Sequence, residues 1–234
     1  KPFNPAFKVL FNSYYHGVGE QHPRAQRGLI TRPGLKEVLA YRDHVDTQMA
    51  DLLRQPPTRL GPELLALVEL GLQHEQQHQE LLLTDVLHLL SCNPLNPVYQ
   101  RHWPLAPVAP LTLQWHAFEG GLMDVGHSGA GFAFDNESPR HRQWLQPYAL
   151  ASRLVTHGEW AHFVADGGYT TARWWTSAGW DWVRGQQVHA PLYWRRSGQA
   201  APLQDDWHSF TMHGLVPIDA GTPITHISWF EADA

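Results

Sequence analysis

The chain has 234 residues, which at about 150 residues per domain means one large domain or two small ones. Hydrophobic residues make up 43% and charged residues 17%, against roughly 25% charged in an average soluble domain, so the chain can bury a core and disorder is excluded. The net charge of −5 gives no basic footprint for nucleic acid. Its longest aliphatic run, Leu81-Leu82-Leu83, is far short of the ~20 residues of a membrane span. The lone cysteine, Cys92, allows no internal disulfide and suits a reducing cytoplasm. The unusual entries in the composition are 16 His and 11 Trp; histidine is the commonest biological metal ligand.

The chain opens on Lys1-Pro2-Phe3, with no initiator Met and no targeting pattern. Its end, Trp229 to Ala234, reads as the first turn of a helix. Both ends are therefore expected to be cut, and a site completed from outside would look partial. Pro5 to Tyr15 is apolar-rich and is stopped by Gly17 and Gly19. A polar link from His22 to Gly28 follows. From Leu35 to Leu53, apolar residues recur at three- and four-residue steps, the signature of an amphipathic helix, ended by Pro56-Pro57. Gly61-Pro62 opens another helix, because proline is tolerated in the first turn, and it runs to about Leu90. Three helices with short links predict most of an antiparallel bundle over residues 1–92, its remaining helix upstream of Lys1.

Prolines at 94, 97, 104, 107 and 110 make 93–110 an extended connector. Residues 111–234 then read as an α+β domain with an aromatic core. Leu111 to Trp115 and Gly121 to Val125 are strand-like, and His157 to Ala165 is the one helical segment expected. Trp174, Trp175, Trp180 and Trp182 read as core or loop packing. The predicted class is a multidomain α and α+β protein.

The stretch His74-Glu75-Gln76-Gln77-His78-Gln79-Glu80 carries the most chemistry. Histidines four apart lie on one helical face, one turn from each other, and can converge on a single metal. The letters also match the H-E-x-x-H motif of zinc proteases, although that motif belongs to another fold with a further downstream ligand. The plainer alternative is a solvated polar strip. A polar strip inside a bundle needs a purpose, since an unpaired buried polar group costs about 1–3 kcal/mol. By pattern alone His44, on the preceding helix, is the candidate third ligand. His16, His22 and His88 are weaker candidates.

Several motifs in order resemble those of the ergothioneine-biosynthesis sulfoxide synthases, the EgtB family. They are Phe11-Asn12-Ser13-Tyr14-Tyr15, His22-Pro23-Arg24-Ala25-Gln26-Arg27-Gly28 and the His74-to-Glu80 stretch. In the second half they are Gly120-Gly121, Phe134 to His141, Asp166-Gly167-Gly168-Tyr169 and Ile227 to Ala232. The resemblance covers almost the whole chain. It implies a DinB-like helix bundle lacking its first helix, followed by an incomplete formylglycine-generating-enzyme-like domain of C-type-lectin-related fold. It also implies a mononuclear non-haem Fe(II) held by three histidines. Two match His74 and His78, and the third would come from a helix upstream of Lys1, which makes His44 a surface or interhelical residue instead.

The implied reaction joins the sulfur of cysteine or γ-glutamylcysteine to the imidazole of Nα-trimethylhistidine (hercynine), with O₂ oxidising the sulfur. The resemblance gives Tyr14 and Tyr15 the proton-donating role, Arg24 and Arg27 the thiol substrate's carboxylate, and Gln77 the hercynine imidazole. Taken alone, two aromatics on an apolar helix are simple packing, and paired arginines or a helix glutamine are usually solvated. The competing functions are an ovothiol-type 5-histidylcysteine sulfoxide synthase, a DinB-type metal-dependent thiol transferase and a non-catalytic lectin-like binding module. The partners expected are small molecules, with no nucleic acid and no membrane. The present chain by itself is expected to be poorly active.

Overall fold

The structure is a computed structural model that describes residues 1–12, 16–101, 111–196 and 206–234. It divides into two compact units, Lys1–Gln73 and His74–Ala234, the division falling inside a helix. Among the described residues no helix is long and apolar enough to cross a membrane.

The first unit begins with a single helical turn, α1 (Phe7–Leu10), shorter than the apolar stretch from Pro5 suggests. Phe7 is its buried residue and meets Phe11 edge-on and Tyr41 at ring-centroid distances of 5.0 and 5.1 Å. A tight 3₁₀ turn over Arg24–Leu29 carries both arginines of the link. Helix α2 (Leu35–Leu53) has the predicted limits. Local ion pairs, Arg42 to Asp46 and Arg54 to Asp51, both at 2.7 Å, brace it, but none of its residues is buried. Such exposed pairs contribute only ~0.3–0.5 kcal/mol each.

Helix α3 (Pro57–Ser91) leaves helical geometry at Gly61 (φ 68°, ψ 157°), and the long helix starts at Pro62 as the sequence predicts. Proline there gives up only an amide that the first turn leaves unpaired anyway. The helix crosses from the first unit into the second, where Leu87 is buried against Tyr193 and Phe210.

Among the described residues the second unit contains three small antiparallel sheets. Strand β1 (Trp115–Phe118) starts where the predicted strand was expected to end, and β2 (Gly121–Val125) has the predicted limits. β3 (His141–Leu145) pairs with β2, and β4 (Tyr148–Ala151) pairs with β1, setting Phe118 opposite Tyr148. Between β1 and β2 the chain turns at Gly120, whose φ is +71°, and a side chain there would collide with the Leu145 carbonyl. Only glycine suits that position.

Helix α4 (His157–Ala165) starts on a capping box: the Thr156 hydroxyl accepts from the Glu159 amide, and the Glu159 carboxylate accepts from the Thr156 amide at 2.9 Å. Arg153 donates two bonds of 2.9 Å to the same carboxylate. Those bonds, with the cap, hold Glu159 down at about 2. Helix α5 (Ser177–Gln186) is a second helix that the sequence reading did not separate from loop. Strands β5 (Trp194–Arg196), β6 (Trp207–Thr211) and β7 (Gly214–Pro217) form one sheet in that order, and α6 (Trp229–Asp233) ends the chain.

Aromatic side chains dominate the core of this unit. Trp160, Trp194 and Trp207 form one buried cluster, and Tyr169, Trp175 and Val183 another. Trp180 and Trp182 pack against the latter, while Trp174 stays 45% exposed under Arg173. Glu231 is 3% exposed yet satisfied. Its carboxylate accepts from the Tyr169 hydroxyl at 2.5 Å and from the Ser228 amide at 2.6 Å, the latter closing a capping box on α6. The Trp160 indole N–H in turn donates to the Tyr169 oxygen at 3.2 Å. Burial and the adjacent carboxylate push the Tyr169 phenol far up, so it stays a neutral donor.

Candidate metal and substrate site

The histidine pair stands where helical periodicity puts it. His74 and His78 lie one turn apart on α3, with ring centroids 4.5 Å apart and planes at 83°. His74 is half-buried, and Gln77 and His78 are exposed. Two imidazoles one turn apart on one helix suit two positions of a divalent metal. Among the described residues there is no group of three or more His, Cys, Asp or Glu able to hold a metal ion. The donor set in hand is therefore two imidazoles.

His44 lies on α2 in the first unit, half-buried, its ring 5.6 Å from Phe3. It lines a cavity of about 620 Å³ with Phe3, Phe7, Tyr41, Met49 and Leu52. That lining is mainly apolar, with Asn4, Lys8 and Gln48 also on it, and it includes none of the other predicted site residues.

Arg24 and Arg27 share one 3₁₀ turn in the first unit, Arg24 exposed and Arg27 half-buried. The turn closes on backbone bonds from the Gln26 amide to the Pro23 carbonyl and from the Ile30 amide to the Arg27 carbonyl. Two guanidinium groups so close in sequence suit a carboxylate, which they can bind in a fork. Asn12 belongs to the same neighbourhood and is 6% exposed. Its side-chain amide donates to the carbonyls of Gly19 and Glu20, each at 3.3 Å, tying α1 to the segment that leads to the arginines. The sequence offers Asn12 only as part of the Asn-Ser-Tyr-Tyr motif, because its burial comes from contacts with Gly19 and Glu20 that no local pattern shows. Tyr14 and Tyr15 lie outside the described residues.

The second unit holds further titratable groups away from the pair. His157 is buried, its Nδ1 within 3.1 Å of the Thr222 carbonyl and 3.0 Å of the Thr222 hydroxyl, and its ring stacks on Trp194. Burial pushes His157 and His226 below the ordinary histidine range. In the 3₁₀ turn Asp135–Glu137, the Glu137 carboxylate accepts from the Phe134 amide at 2.8 Å. That bond makes a turn of the Phe134-to-His141 motif.

Residues 114–234 match the sulfatase-modifying factor enzyme 1-like domain, more than half of the chain. The chain belongs to that family.

Across nearly its whole length the chain is similar to curated proteins named hercynine oxygenase. With the one from Mycobacterium tuberculosis it shares 29% identity over 231 residues, 98% of this chain and 50% of that protein. With the one from Mycolicibacterium thermoresistibile it shares 27% over 231 residues, 98% of this chain and 47% of that protein. The protein from Mycolicibacterium smegmatis is 27% identical over 218 residues. The chain spans about half the length of the curated relatives it matches.

Proposed function

We propose that this chain carries the metal-binding and part of the substrate-binding machinery of an O₂-dependent sulfoxide synthase of ergothioneine biosynthesis. The reaction would couple hercynine to cysteine or γ-glutamylcysteine. Its balance is one C–H and one S–H lost, one C–S and one S–O bond formed, and O₂ reduced to the sulfoxide oxygen and one water. The observation that carries the reading is the adjacent imidazole pair His74 and His78, in a chain whose similarity to hercynine oxygenases runs through both halves.

In this reading His74 and His78 hold Fe(II), and a third imidazole comes from outside the chain. Iron bound there supplies the capacity to take up a thiolate and reduce dioxygen. The remaining work belongs to the protein's own groups. Arg24 and Arg27 grip the carboxylate of the thiol substrate and fix its sulfur. The Gln77 amide, one residue from His78, hydrogen-bonds the hercynine imidazole and orients its ring carbon. Holding both substrates so replaces a chance encounter by a positioned one, which can lower a barrier by ~7–11 kcal/mol. A phenol of Tyr14 or Tyr15 gives its hydroxyl proton to reduced oxygen.

The same reading makes residues 1–92 part of a DinB-like bundle, 93–110 a connector and 111–234 a C-type-lectin-like domain, in a cytoplasmic enzyme. The chain alone should turn over poorly. Anaerobic Fe(II) titration followed by oxygen uptake with both substrates tests the reading. Loss of iron binding in His74→Ala and in His78→Ala, with uptake that requires hercynine, supports it. Iron-independent thiol transfer would favour a DinB-type transferase, and absence of both would favour a binding module.

A further inference from the structure

Two side chains just ahead of the Arg24–Leu29 turn keep hydrogen-bonding capacity that the protein itself does not use. Among the described residues, four buried side-chain nitrogens lack a hydrogen-bond partner, and two of them are consecutive: Nε2 of Gln21 and Nε2 of His22. The other two, Nε1 of Trp194 and Nδ1 of His208, sit on β5 and β6 in the second unit. A polar atom closed off from water and left unpaired forfeits the hydrogen bond it had in solvent. Two such atoms side by side, directly before a pair of arginines, are a cost that a bound acceptor would remove.

The backbone here is pinned from α1. The buried Asn12 side chain holds the carbonyls of Gly19 and Glu20. The His22 amide donates to the Val9 carbonyl at 3.3 Å, in the last residues of α1. Pro23 then leads into the 3₁₀ turn as its N-cap. The side chains of Gln21 and His22 are only half-buried, so they border solvent and can turn their nitrogens to a solute while the backbone stays fixed. All of these residues belong to the first unit.

The chemistry of the side chains defines the guest. Gln21 offers an amide N–H, His22 a ring N–H in the tautomer protonated at Nε2, and Arg24 and Arg27 their guanidinium forks. Glu20, the adjacent acid, is exposed, and its backbone carbonyl is what Asn12 holds. A run of donors suits a guest that only accepts, and a carboxylate does so through two oxygens. Resting on the function proposed above, which gives Arg24 and Arg27 the carboxylate of the thiol substrate, we propose that Gln21 and His22 are further binding residues for that carboxylate and that Asn12 is their positioning residue. The arginines supply charge, which acts over distance. The two neutral donors act only within hydrogen-bond reach, so they set the direction in which the carboxylate, and with it the sulfur, is held.

Anaerobic titration calorimetry on the full-length Fe(II)-loaded polypeptide tests this with cysteine, γ-glutamylcysteine and cysteamine, which is cysteine without its carboxylate. The Kd of the carboxylate thiols should rise about tenfold in His22→Phe and in Gln21→Met, each of which removes a hydrogen bond to a charged group. The Kd of cysteamine should stay within about twofold, because it has no carboxylate to lose. His22→Gln restores an amide nitrogen near the place of Nε2 and should recover part of the loss. Asn12→Ala should weaken the carboxylate thiols and spare cysteamine, a selectivity that general destabilisation does not produce. Gln21→Met should leave the melting temperature of the unliganded protein undiminished, since no internal partner is lost. A clear drop in that temperature would overturn the proposal. So would unchanged carboxylate-thiol binding in His22→Phe and Gln21→Met with the loss confined to Arg24→Ala and Arg27→Ala, an outcome that leaves the arginine reading standing. A wild type that holds cysteamine as tightly as the carboxylate thiols, or that binds none of them, would overturn both.

Discussion

Between α4 and α6, Trp160, Tyr169, Trp175 and Glu231 are buried; the Tyr169 hydroxyl links Trp160 to Glu231, and the Trp175 indole N–H donates to the Gly168 carbonyl. In α2, by contrast, no residue is buried, and along α3 Leu67, Leu72, Leu82 and Leu89 are 61–70% exposed. The first region is held by side chains that meet across long stretches of sequence; Tyr169 and Glu231 are 62 residues apart. The second is held by local backbone bonds, short-range ion pairs and the buried anchor at Leu87. The proposed metal site uses the second style of support. The histidine pair relies on the regularity of one helix, which keeps two imidazoles together without a packed core around them.

That contrast can be broken in several ways. Trp160→Ala should have the largest effect, about 3–5 kcal/mol, because it removes a buried indole and leaves a cavity. A urea melt followed by near-ultraviolet circular dichroism would show it; a loss below ~1 kcal/mol would mean that the aromatic core does not carry this unit. Tyr169→Phe keeps the ring but deprives Glu231 of a donor and the Trp160 N–H of its acceptor. It should cost about 1–3 kcal/mol in the same melt.

Acid should act on the core unit through His157 and His226, whose folded values lie below the ordinary ~6.5. Between those depressed values and 6.5 the unfolded chain binds more protons than the folded one. Stability therefore falls as pH drops below about 6.5, and levels off once the folded imidazoles also protonate. His157→Gln should flatten that slope; an unchanged slope would place the effect elsewhere. At the small end, Leu82→Ala on the exposed face of α3 should change stability by about 0.5 kcal/mol or less. A cost near ~2 kcal/mol would show that the face is covered in solution.

Patterns within a dozen residues were legible. The three- and four-residue steps of α2 and the Gly61-Pro62 start of the long helix fix those elements because propensity and periodicity act locally. The His74 and His78 spacing fixes the ring pair for the same reason. Helix α5 escaped because Gly179 and Gly185 interrupt its pattern. Its start depends on the Thr176 hydroxyl accepting from the Gly179 amide at 3.1 Å, a single side-chain bond. The β1 strand slipped toward Phe118 because its register is set by pairing with Tyr148 to Ala151, not by the residues of the strand. The same distance in sequence hid the Tyr169–Glu231 bond and the approach of Tyr193 to His88. No local pattern links positions 62 or 105 residues apart.

The most direct test is product analysis of the full-length polypeptide carrying this sequence, loaded anaerobically with Fe(II) and given hercynine, a thiol and ¹⁸O₂. Mass spectrometry should find a coupled sulfoxide carrying one ¹⁸O, formed with cysteine or with γ-glutamylcysteine and lost in His74→Ala and in His78→Ala. An iron-loaded protein that consumes O₂ yet forms no carbon–sulfur bond with either thiol would contradict the account.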